Sequence, residues 1–265
     1  MPPRPLFKVQ CIEITGADAQ HFAQAQFSGD VDALAPNRWQ WNAWLDAQGR
    51  VKALMHLARM DDDRLLAVLR GGDAEALRSD LARFVLRSKV VLTARSFMGY
   101  TSDALGMGES SYEAQCIALG FGDRSLRLAT ESGEPDPEAA NAWCLSDIRA
   151  GWPTLPTHAT HFLPPALGLE RLGAVSFAKG CYPGQEIAAR LHYRGGHKYR
   201  LCWVRSPAPL RPSGPDQPGK NPSPWILISA RDGDGWEALV VQSISDASTI
   251  NEIAAQIRVV SMFEA

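Results

Sequence analysis

Lys179-Gly180-Cys181-Tyr182-Pro183-Gly184-Gln185-Glu186 is the stretch of this sequence that holds the most chemistry in the fewest residues. It combines an ammonium, a thiol, a phenol, an amide and a carboxylate. Gly180 and Gly184 permit backbone angles that other residues resist, and Pro183 fixes its own φ near about −65°. A turn so rich in reactive side chains is more typical of a functional site than of a simple connection.

Cys181 is the candidate reactive group of this octapeptide. Lys179 lies two residues away, and a nearby cation favours the thiolate over the thiol. A reactive Cys181 would serve as a nucleophile, as a redox sensor or as a transient ligand of a metal or cluster. A thiol that only packs in the turn is the structural alternative. The histidines available as the base of a Cys–His hydrolase are His158, His161, His192 and His197.

The residues that follow the octapeptide are basic. Residues 186–193 alternate between apolar and polar side chains and predict a β-strand, with Arg190 and His192 on one face. Residues 194–197, Arg-Gly-Gly-His, then predict a hairpin-type turn. Such a segment suits a polyanionic ligand through charge-assisted hydrogen bonds, and a solvated strand face is the alternative. The cations between 179 and 200 are Lys179, Arg190, Arg194, Lys198 and Arg200.

Length and composition are those of a protein with two or three modest domains. The 265 residues carry a formal net charge of −2, which gives no reason to expect a nucleic-acid or membrane partner. No run approaches the roughly 20 apolar residues of a membrane helix, and residues 1–6 lack the apolar core of a signal peptide. The five scattered cysteines form no C-x-x-C pair, so the sequence contains no zinc-knuckle or ferredoxin-type motif. We therefore expect a reducing, cytoplasmic location.

The remainder of the chain predicts strands and a few helices, and hence an α+β fold. The clearest helix follows the N-cap candidate Asp73, and a second one is predicted at 139–150. The apolar face of the helix after Asp73 consists of Leu77, Leu81, Phe84 and Val85. The proline-rich segment 206–224 is interpreted as a loop between two strands of one barrel. The predicted strands are 9–14, 39–46, 51–60, 65–69, 90–94, 115–121, 125–129, 199–205, 224–231, 237–243 and 256–263.

The octapeptide resembles the Lys-Gly-Cys-Tyr-x-Gly-Gln-Glu signature of the YgfZ family. Those proteins bind tetrahydrofolate, support the assembly or repair of iron–sulfur clusters, and are related to the aminomethyltransferase (T-protein) of glycine cleavage. The C-terminal part of this chain carries no specific family motif. The other matches, in family order, are residues 14–18 with Phe22, 24–30, 45–50, 84–90, 151–153, 162–164 and 175–177.

The resemblance implies three subdomains in a ring around a central hole. A discontinuous folate-binding subdomain would comprise residues 1–38 and 95–195, and it would be interrupted by a ferredoxin-like α+β subdomain at 39–94. Residues 196–265 would form a C-terminal β-barrel. The Cys181 turn would then lie near the junction of the subdomains and face the hole.

The function implied by the resemblance is that of a tetrahydrofolate-binding accessory factor for the assembly, maintenance or repair of iron–sulfur enzymes. Such a factor need not turn over a substrate. One alternative is a folate-dependent aminomethyl or one-carbon transferase, and a second is a thiol redox or Cys-nucleophile protein that binds no folate. The expected partners are folate and iron–sulfur client or assembly proteins. We expect a monomer that binds neither membranes nor nucleic acid directly.

The resemblance also implies a site. Cys181 would be the reactive thiol, with Lys179 beside it, and no resident metal is expected. A carboxylate can accept two N–H groups of a pterin, but the sequence leaves Asp30, Asp46 and Glu186 open for this role, each with a local turn or cap as the alternative. A polyglutamated folate tail would bind the basic segment. The expected folate contacts are Asp30, Asp46, Tyr182, Gln185, Glu186, Arg190 and Arg194.

Overall fold

The computed structural model describes residues 2–113, 116–130, 133–156, 162–211, 225–244 and 258–263. These residues form a mixed α/β structure with one antiparallel sheet of eight strands and a second of four. The strands of the larger sheet are β1 (Pro5–Thr15), β2 (Arg38–Leu45), β3 (Val51–Asp61), β4 (Arg64–Leu69), β5 (Val91–Ser102), β6 (Ser110–Glu113), β7 (Cys116–Gly120) and β8 (Ser125–Ala129). The smaller sheet contains β9 (Tyr199–Ser206), β10 (Trp225–Asp232), β11 (Gly235–Ser243) and β12 (Arg258–Phe263).

The larger sheet curls until its two outer strands meet. Its strand order is β2-β3-β4-β1-β5-β8-β7-β6. The N–H of Trp39 in β2 donates to the carbonyl of Gly108, and the N–H of Ser110 in β6 donates to the carbonyl of Asn37, at 2.8 and 2.9 Å. One face of this sheet contributes to the main hydrophobic core with residues such as Val9, Leu66 and Leu128.

Two of the four helices cover the other face of the larger sheet, and a third one connects the two sheets. The four helices are α1 (Ala19–Gln26), α2 (Ala74–Ala82), α3 (Pro137–Ala150) and α4 (Gln185–Arg194), with a 3₁₀ turn at Pro164–Leu167. Phe22 of α1 and Leu81 of α2 lie in a second core with the outward-facing residues of β1, β3 and β4. Asn141 of α3 exchanges two hydrogen bonds of 2.8 Å with the backbone of Arg231 in β10.

Most predicted elements are present, but the apolar face of α2 is shorter than predicted. Asp73 caps this helix by accepting from the N–H of Ala76, and Leu77 and Leu81 are buried. The helix ends at Ala82 because the next N–H groups bond three residues back, from Arg83 to Asp80 and from Phe84 to Leu81. Phe84 is consequently 44% exposed, so the prediction that it is buried on the helix was wrong.

The larger sheet combines strands from both predicted N-terminal subdomains, because β1 pairs with β4 on one side and with β5 on the other. The ring of three subdomains and the closed C-terminal barrel remain predictions. Of the predicted strand 256–263, residues 256 and 257 lie outside the described residues, as does most of the proline-rich segment 206–224. Among the helices in the described part of the chain, none combines the length and apolar character needed to cross a membrane.

Candidate functional site

The second half of the octapeptide begins a helix. Gly184 precedes α4 with a φ of 75°, and Gly195 ends it with a φ of 65°. The prediction of a strand at 186–193 and of a hairpin turn at 194–197 was therefore wrong. The physical reason is that the alternation rested on alanines and long polar residues, which favour helix over strand, with a glycine at the helix C-terminus.

The helix changes which side chains lie together. Glu186, Arg190 and Arg194 are four residues apart, so they share one face of α4, and all three are exposed. His192, expected beside Arg190 on a strand, instead stacks on Phe177 with ring centroids 4.2 Å apart. The exposed face of α4 therefore carries one carboxylate followed by two guanidinium groups.

Lys179 joins the octapeptide to the end of α1. Its half-buried ammonium donates to the carbonyl oxygens of Gln24, Phe27 and Gly29 at 2.5, 2.7 and 2.9 Å. Burial lowers the pKa of Lys179 to about 8, against the opposing effect of the carboxylates of Asp30 and Asp32. Since an ammonium has three N–H groups, all of its donors are used by these carbonyls. Any influence of Lys179 on Cys181 therefore acts through space and not through a hydrogen bond.

Asp30 and Asp46 are occupied by their own surroundings. Asp30 accepts from the side-chain amide of Gln24 at 3.0 Å. Asp46 accepts from the backbone N–H groups of Gln48 and Arg50, both at 2.9 Å, and so closes the turn between β2 and β3. The structure brings both residues toward the octapeptide. Asp30 lies near the Lys179 ammonium, and the backbone of Asp46 contacts Gly184.

Two glycines allow the β2–β3 turn to touch the octapeptide. A Cβ atom on Gly184 would lie 2.5 Å from the carbonyl oxygen of Asp46 and 2.8 Å from the Cα of Gly49. A Cβ atom on Gly49 would lie 2.9 Å from the Cβ of Ile187. Both glycines also have positive φ, so this backbone contact requires glycine on each side.

Tyr182 and Gln185 stabilise the turn from within. The Tyr182 side chain is buried in the main core, its hydroxyl donates to the carbonyl of Ser176 at 3.1 Å, and burial raises its pKa to about 12. The side-chain amide of Gln185 donates to the carbonyl of Lys179 at 3.5 Å. These two side chains, predicted as folate contacts, face the inside of the turn.

Cys181 is exposed, and it differs in this from the other four cysteines of the chain. Cys11 and Cys202 are buried, and Cys116 and Cys144 are intermediate. Burial raises the pKa of Cys144 to about 11 and raises that of Cys11 and Cys202 as well. The most exposed thiol of the chain is therefore the one in the octapeptide.

The histidines available to a Cys–His mechanism do not contact Cys181 where the structure describes them. His192 Nδ1 lies 2.7 Å from a carboxylate oxygen of Glu170, and His197 lines an apolar cleft of about 110 Å³ near the end of α4. His158 and His161 lie outside the described residues. Among the described residues, no group of three or more His, Cys, Asp or Glu side chains is positioned to hold a metal ion. The cleft beside His197 is lined further by Phe162, Leu163, Ala166, Lys198, Tyr199 and Trp225.

A buried polar cluster in the main core was not predicted from the sequence. Asp147 of α3 pairs with Arg70 at 2.8 Å and with Arg124 at 2.5 Å, and the exposure of its side chain is only 3%. His56 of β3 is buried nearby, and neither of its ring nitrogens has a hydrogen-bond partner in the described part of the chain. The family match at residues 151–153 and the tryptophan-rich β2 were the available signals. The aromatic rings around His56 belong to Trp39, Trp41, Phe121 and Trp152.

The sequence is similar to curated bacterial proteins named tRNA-modifying protein YgfZ. It is 26% identical over 262 residues to that of Sodalis glossinidius, covering 85% of this chain and 74% of the relative. It is 27% identical over 283 residues to that of Yersinia enterocolitica, and the match covers 90% of this chain and 84% of the relative. An uncharacterized protein of Haemophilus influenzae is 30% identical over 199 residues, covering 73% and 69%. No model of a known protein family matches the sequence.

The fold is similar to a solved structure, the glycine cleavage system aminomethyltransferase T from Bartonella henselae. The TM-score is 0.65, and the superposition covers 92% of this chain and 78% of that one. Sequence identity is 12%, so this likeness concerns the fold alone.

Proposed function

The chain belongs to the YgfZ family, and from this premise we propose that it is a tetrahydrofolate-binding accessory factor for the assembly, maintenance or repair of iron–sulfur enzymes. The observation that carries the proposal is the geometry of the octapeptide within a T-protein-like fold. An exposed thiol, Cys181, lies four residues before a helix whose outer face presents a carboxylate and two guanidinium groups. A thiol and an anion-binding surface are thus available together.

Glu186 is the carboxylate that best fits a pterin. Asp30 and Asp46 already accept hydrogen bonds from neighbouring groups. The exposed Glu186 carboxylate has no donor among the described residues. A carboxylate with both oxygens available can accept two adjacent N–H groups of a pterin ring.

Arg190 and Arg194 fit the anionic tail of a folate. They follow Glu186 at one-turn intervals on the same face of α4, so a ligand held at Glu186 would extend along the helix past both guanidinium groups. Charge-assisted hydrogen bonds to glutamate carboxylates would be stronger than neutral ones. Longer polyglutamate tails should therefore bind more tightly, and the gain should fall with added salt.

The names of the relatives speak of tRNA modification, and the proposal accommodates this without RNA binding. A client enzyme that contains an iron–sulfur cluster and modifies tRNA would give such a factor an effect on tRNA. The exposed Cys181 would act on the client or its cluster, and folate would bind beside it. A one-carbon transferase has only the fold likeness in its favour, and that likeness does not extend to activity.

The test is a calorimetric titration of the purified protein with mono- and polyglutamated tetrahydrofolate. We expect Glu186→Gln to weaken binding at least about tenfold, and Arg190→Gln with Arg194→Gln to remove the advantage of the longer tail. Arg38→Gln is the control, because Arg38 is also exposed and lies at the end of β2 opposite the Asp46 turn that contacts Gly184. Absence of heat at millimolar folate would remove the folate part of the proposal.

A second arm of this experiment separates the thiol from the ligand site. Cys181→Ala should leave folate affinity nearly unchanged, yet it should fail to support iron–sulfur enzyme activity in cells that lack the native protein. Cys116→Ala is the matched control and should support that activity. Full rescue by Cys181→Ala would show that the thiol is structural.

A further inference from the structure

A cavity of about 560 Å³ opens in the eight-stranded sheet, at the end of the sheet that is remote from the octapeptide turn. That turn contacts Gly49, just before β3 begins at Val51. The cavity residue Leu66 pairs instead with Ala58, near the other end of β3. At a rise of about 3.3 Å per residue, the strand between Val51 and Ala58 spans roughly 23 Å. The cavity is therefore separate from the octapeptide.

The cavity exists because one strand is longer than its neighbour. β1 accompanies β5 from Val91 to Tyr100, but β8 pairs with β5 only from Met98 to Ser102. Along Val91–Phe97, no described strand pairs with β5 on the β8 side. An unpaired strand edge presents backbone N–H and C=O groups, and Ala94–Phe97 of this edge line the cavity.

The polar side of the cavity carries a net positive charge. Glu13, which is 9% exposed, accepts from Arg64 at 2.5 Å and from two nitrogens of Arg95 at 3.2 Å. One carboxylate cancels one of the two guanidinium charges, which leaves a charge of about +1. Arg95 is 53% exposed, and a guanidinium has five N–H donors, so donors remain for a ligand.

The opposite side of the cavity is apolar. Leu66, Phe97 and Ile117 contribute to it, and the ring of Tyr112 lies beneath the Arg64 guanidinium at 4.4 Å. Ala94, Ser96 and Thr130 complete the lining. The volume is within the range of about 300–1,000 Å³ that is usual for small-molecule sites, which are mostly apolar with a few placed polar groups.

We propose that this cavity binds a small organic anion. Its carboxylate or phosphate group contacts Arg95 and Arg64, and its flat apolar body lies against Phe97. The alternative role for the same charges is purely structural. Glu13 of β1 pairs with Arg64 of β4 and with Arg95 of β5, so these ion pairs would stabilise the packing of three strands. The two roles predict different responses to the loss of Glu13, and the experiment uses this difference.

The probes are fluorobenzoate, followed by fluorine NMR, and adenosine monophosphate and inorganic phosphate, followed by calorimetry at low salt. Arg95→Gln should weaken binding of an organic anion at least about tenfold. Glu13→Gln should tighten binding, because it raises the local charge from about +1 to about +2. Arg205→Gln is the matched control, since Arg205 is also 53% exposed, pairs with the buried Glu237 and lies in the other sheet. It should leave affinity unchanged.

If fluorobenzoate binds more tightly than adenosine monophosphate, the ligand is a carboxylate. If adenosine monophosphate binds more tightly, the ligand carries a phosphate group. If Glu13→Gln does not fold, Arg64→Gln is the second variant. Like Arg95→Gln, it should weaken binding of the organic anion. The proposal falls if no probe binds, if inorganic phosphate binds as well as the organic probes, or if Arg95→Gln leaves affinity unchanged. It also falls as a separate site if Arg95→Gln abolishes tetrahydrofolate binding.

Discussion

Lys179 and His56 are both ionisable side chains removed from water, and burial lowers the pKa of each, yet they meet opposite surroundings. Lys179 donates all three of its N–H groups to carbonyl oxygens. His56 is enclosed by aromatic rings with centroids as close as 4.2 Å, and both of its nitrogens lack a hydrogen-bond partner among the described residues. Lys179, the residue that belongs to a recognisable motif, thus has all of its hydrogen-bond donors paired, and His56 does not.

A motif residue can therefore have a structural task while its neighbour has the chemical one. Lys179 holds the octapeptide against the end of α1, and this leaves Cys181 exposed on a fixed turn. The region around His56 is a different environment, because a polar ring there is tolerated only in its neutral form. Removal of the Lys179 donors should therefore lower stability, whereas replacement of the His56 ring by an apolar ring should change it little.

The largest effect is expected from Gly184→Ala. The new Cβ would lie 2.5 Å from the Asp46 carbonyl oxygen at a φ of 75°, so the two turns must separate. We expect a loss of at least about 3 kcal/mol in the free energy of unfolding, measured by urea denaturation. Gly180→Ala is the control, because a Cβ at Gly180 would meet no atom within 4 Å. Equal losses in both variants would show that the contact with Asp46 is unimportant.

Lys179→Met is expected to have the next largest effect. Methionine keeps the length of the stem but donates no hydrogen bond, so three carbonyl oxygens lose a partner. We expect a loss of about 2–3 kcal/mol in the free energy of unfolding, whereas Lys52→Met, at an exposed position of β3, should change it little. A neutral result for Lys179→Met would remove the structural role given to this lysine.

The smallest effect is expected at His56, and it depends on pH. Burial and the nearby cations Arg70 and Arg124 hold the pKa of His56 well below its usual value, so the folded protein keeps this ring neutral. The unfolded chain binds a proton near pH 6.5, and stability is therefore lost as pH falls below that value. Between pH 7.5 and 5.0 the His56 contribution should be up to about 2 kcal/mol.

The control for this pH dependence is His56→Phe. It replaces an unsatisfied polar ring by an apolar one, so at pH 7.5 the free energy of unfolding should change by less than about 1 kcal/mol. The loss in the free energy of unfolding between pH 7.5 and 5.0 should be smaller in this variant than in the unsubstituted protein, by the contribution of His56. A variant with an unchanged pH profile would show that His56 is not responsible.

Local patterns predicted the elements whose residues depend on their immediate neighbours. The segments 39–46 and 51–60, joined by the turn-like residues 46–49, predicted β2 and β3, and Asp73 correctly marked the start of α2. Prediction failed at 186–193, where a period of two occurred in residues with high helix propensity. It also failed at Phe84, because hydrogen bonds three residues back end the helix before that ring reaches the core.

The candidate site divides in the same way. The residue types of the octapeptide were sufficient to identify Cys181 as the candidate thiol, and the structure shows that it is exposed. The grouping of Glu186 with Arg190 and Arg194 followed only from the helix. The cluster around Asp147 was not predicted, because its partners Arg70 and Arg124 come from separate segments of the chain.

The amino-acid sequence was sufficient to identify the family, most of the strands and helices, and the turn that carries the thiol. These depend on residue type and on spacing within short segments. Only the tertiary structure decided that Lys179 binds the end of α1, which lies 150 or more residues away in the chain. It also shows that, within the described ranges, no strand pairs with Val91–Phe97 of β5 on the β8 side, where two arginines line a cavity. The physical reason is that such contacts depend on how distant segments pack, and no local pattern records which segments will meet.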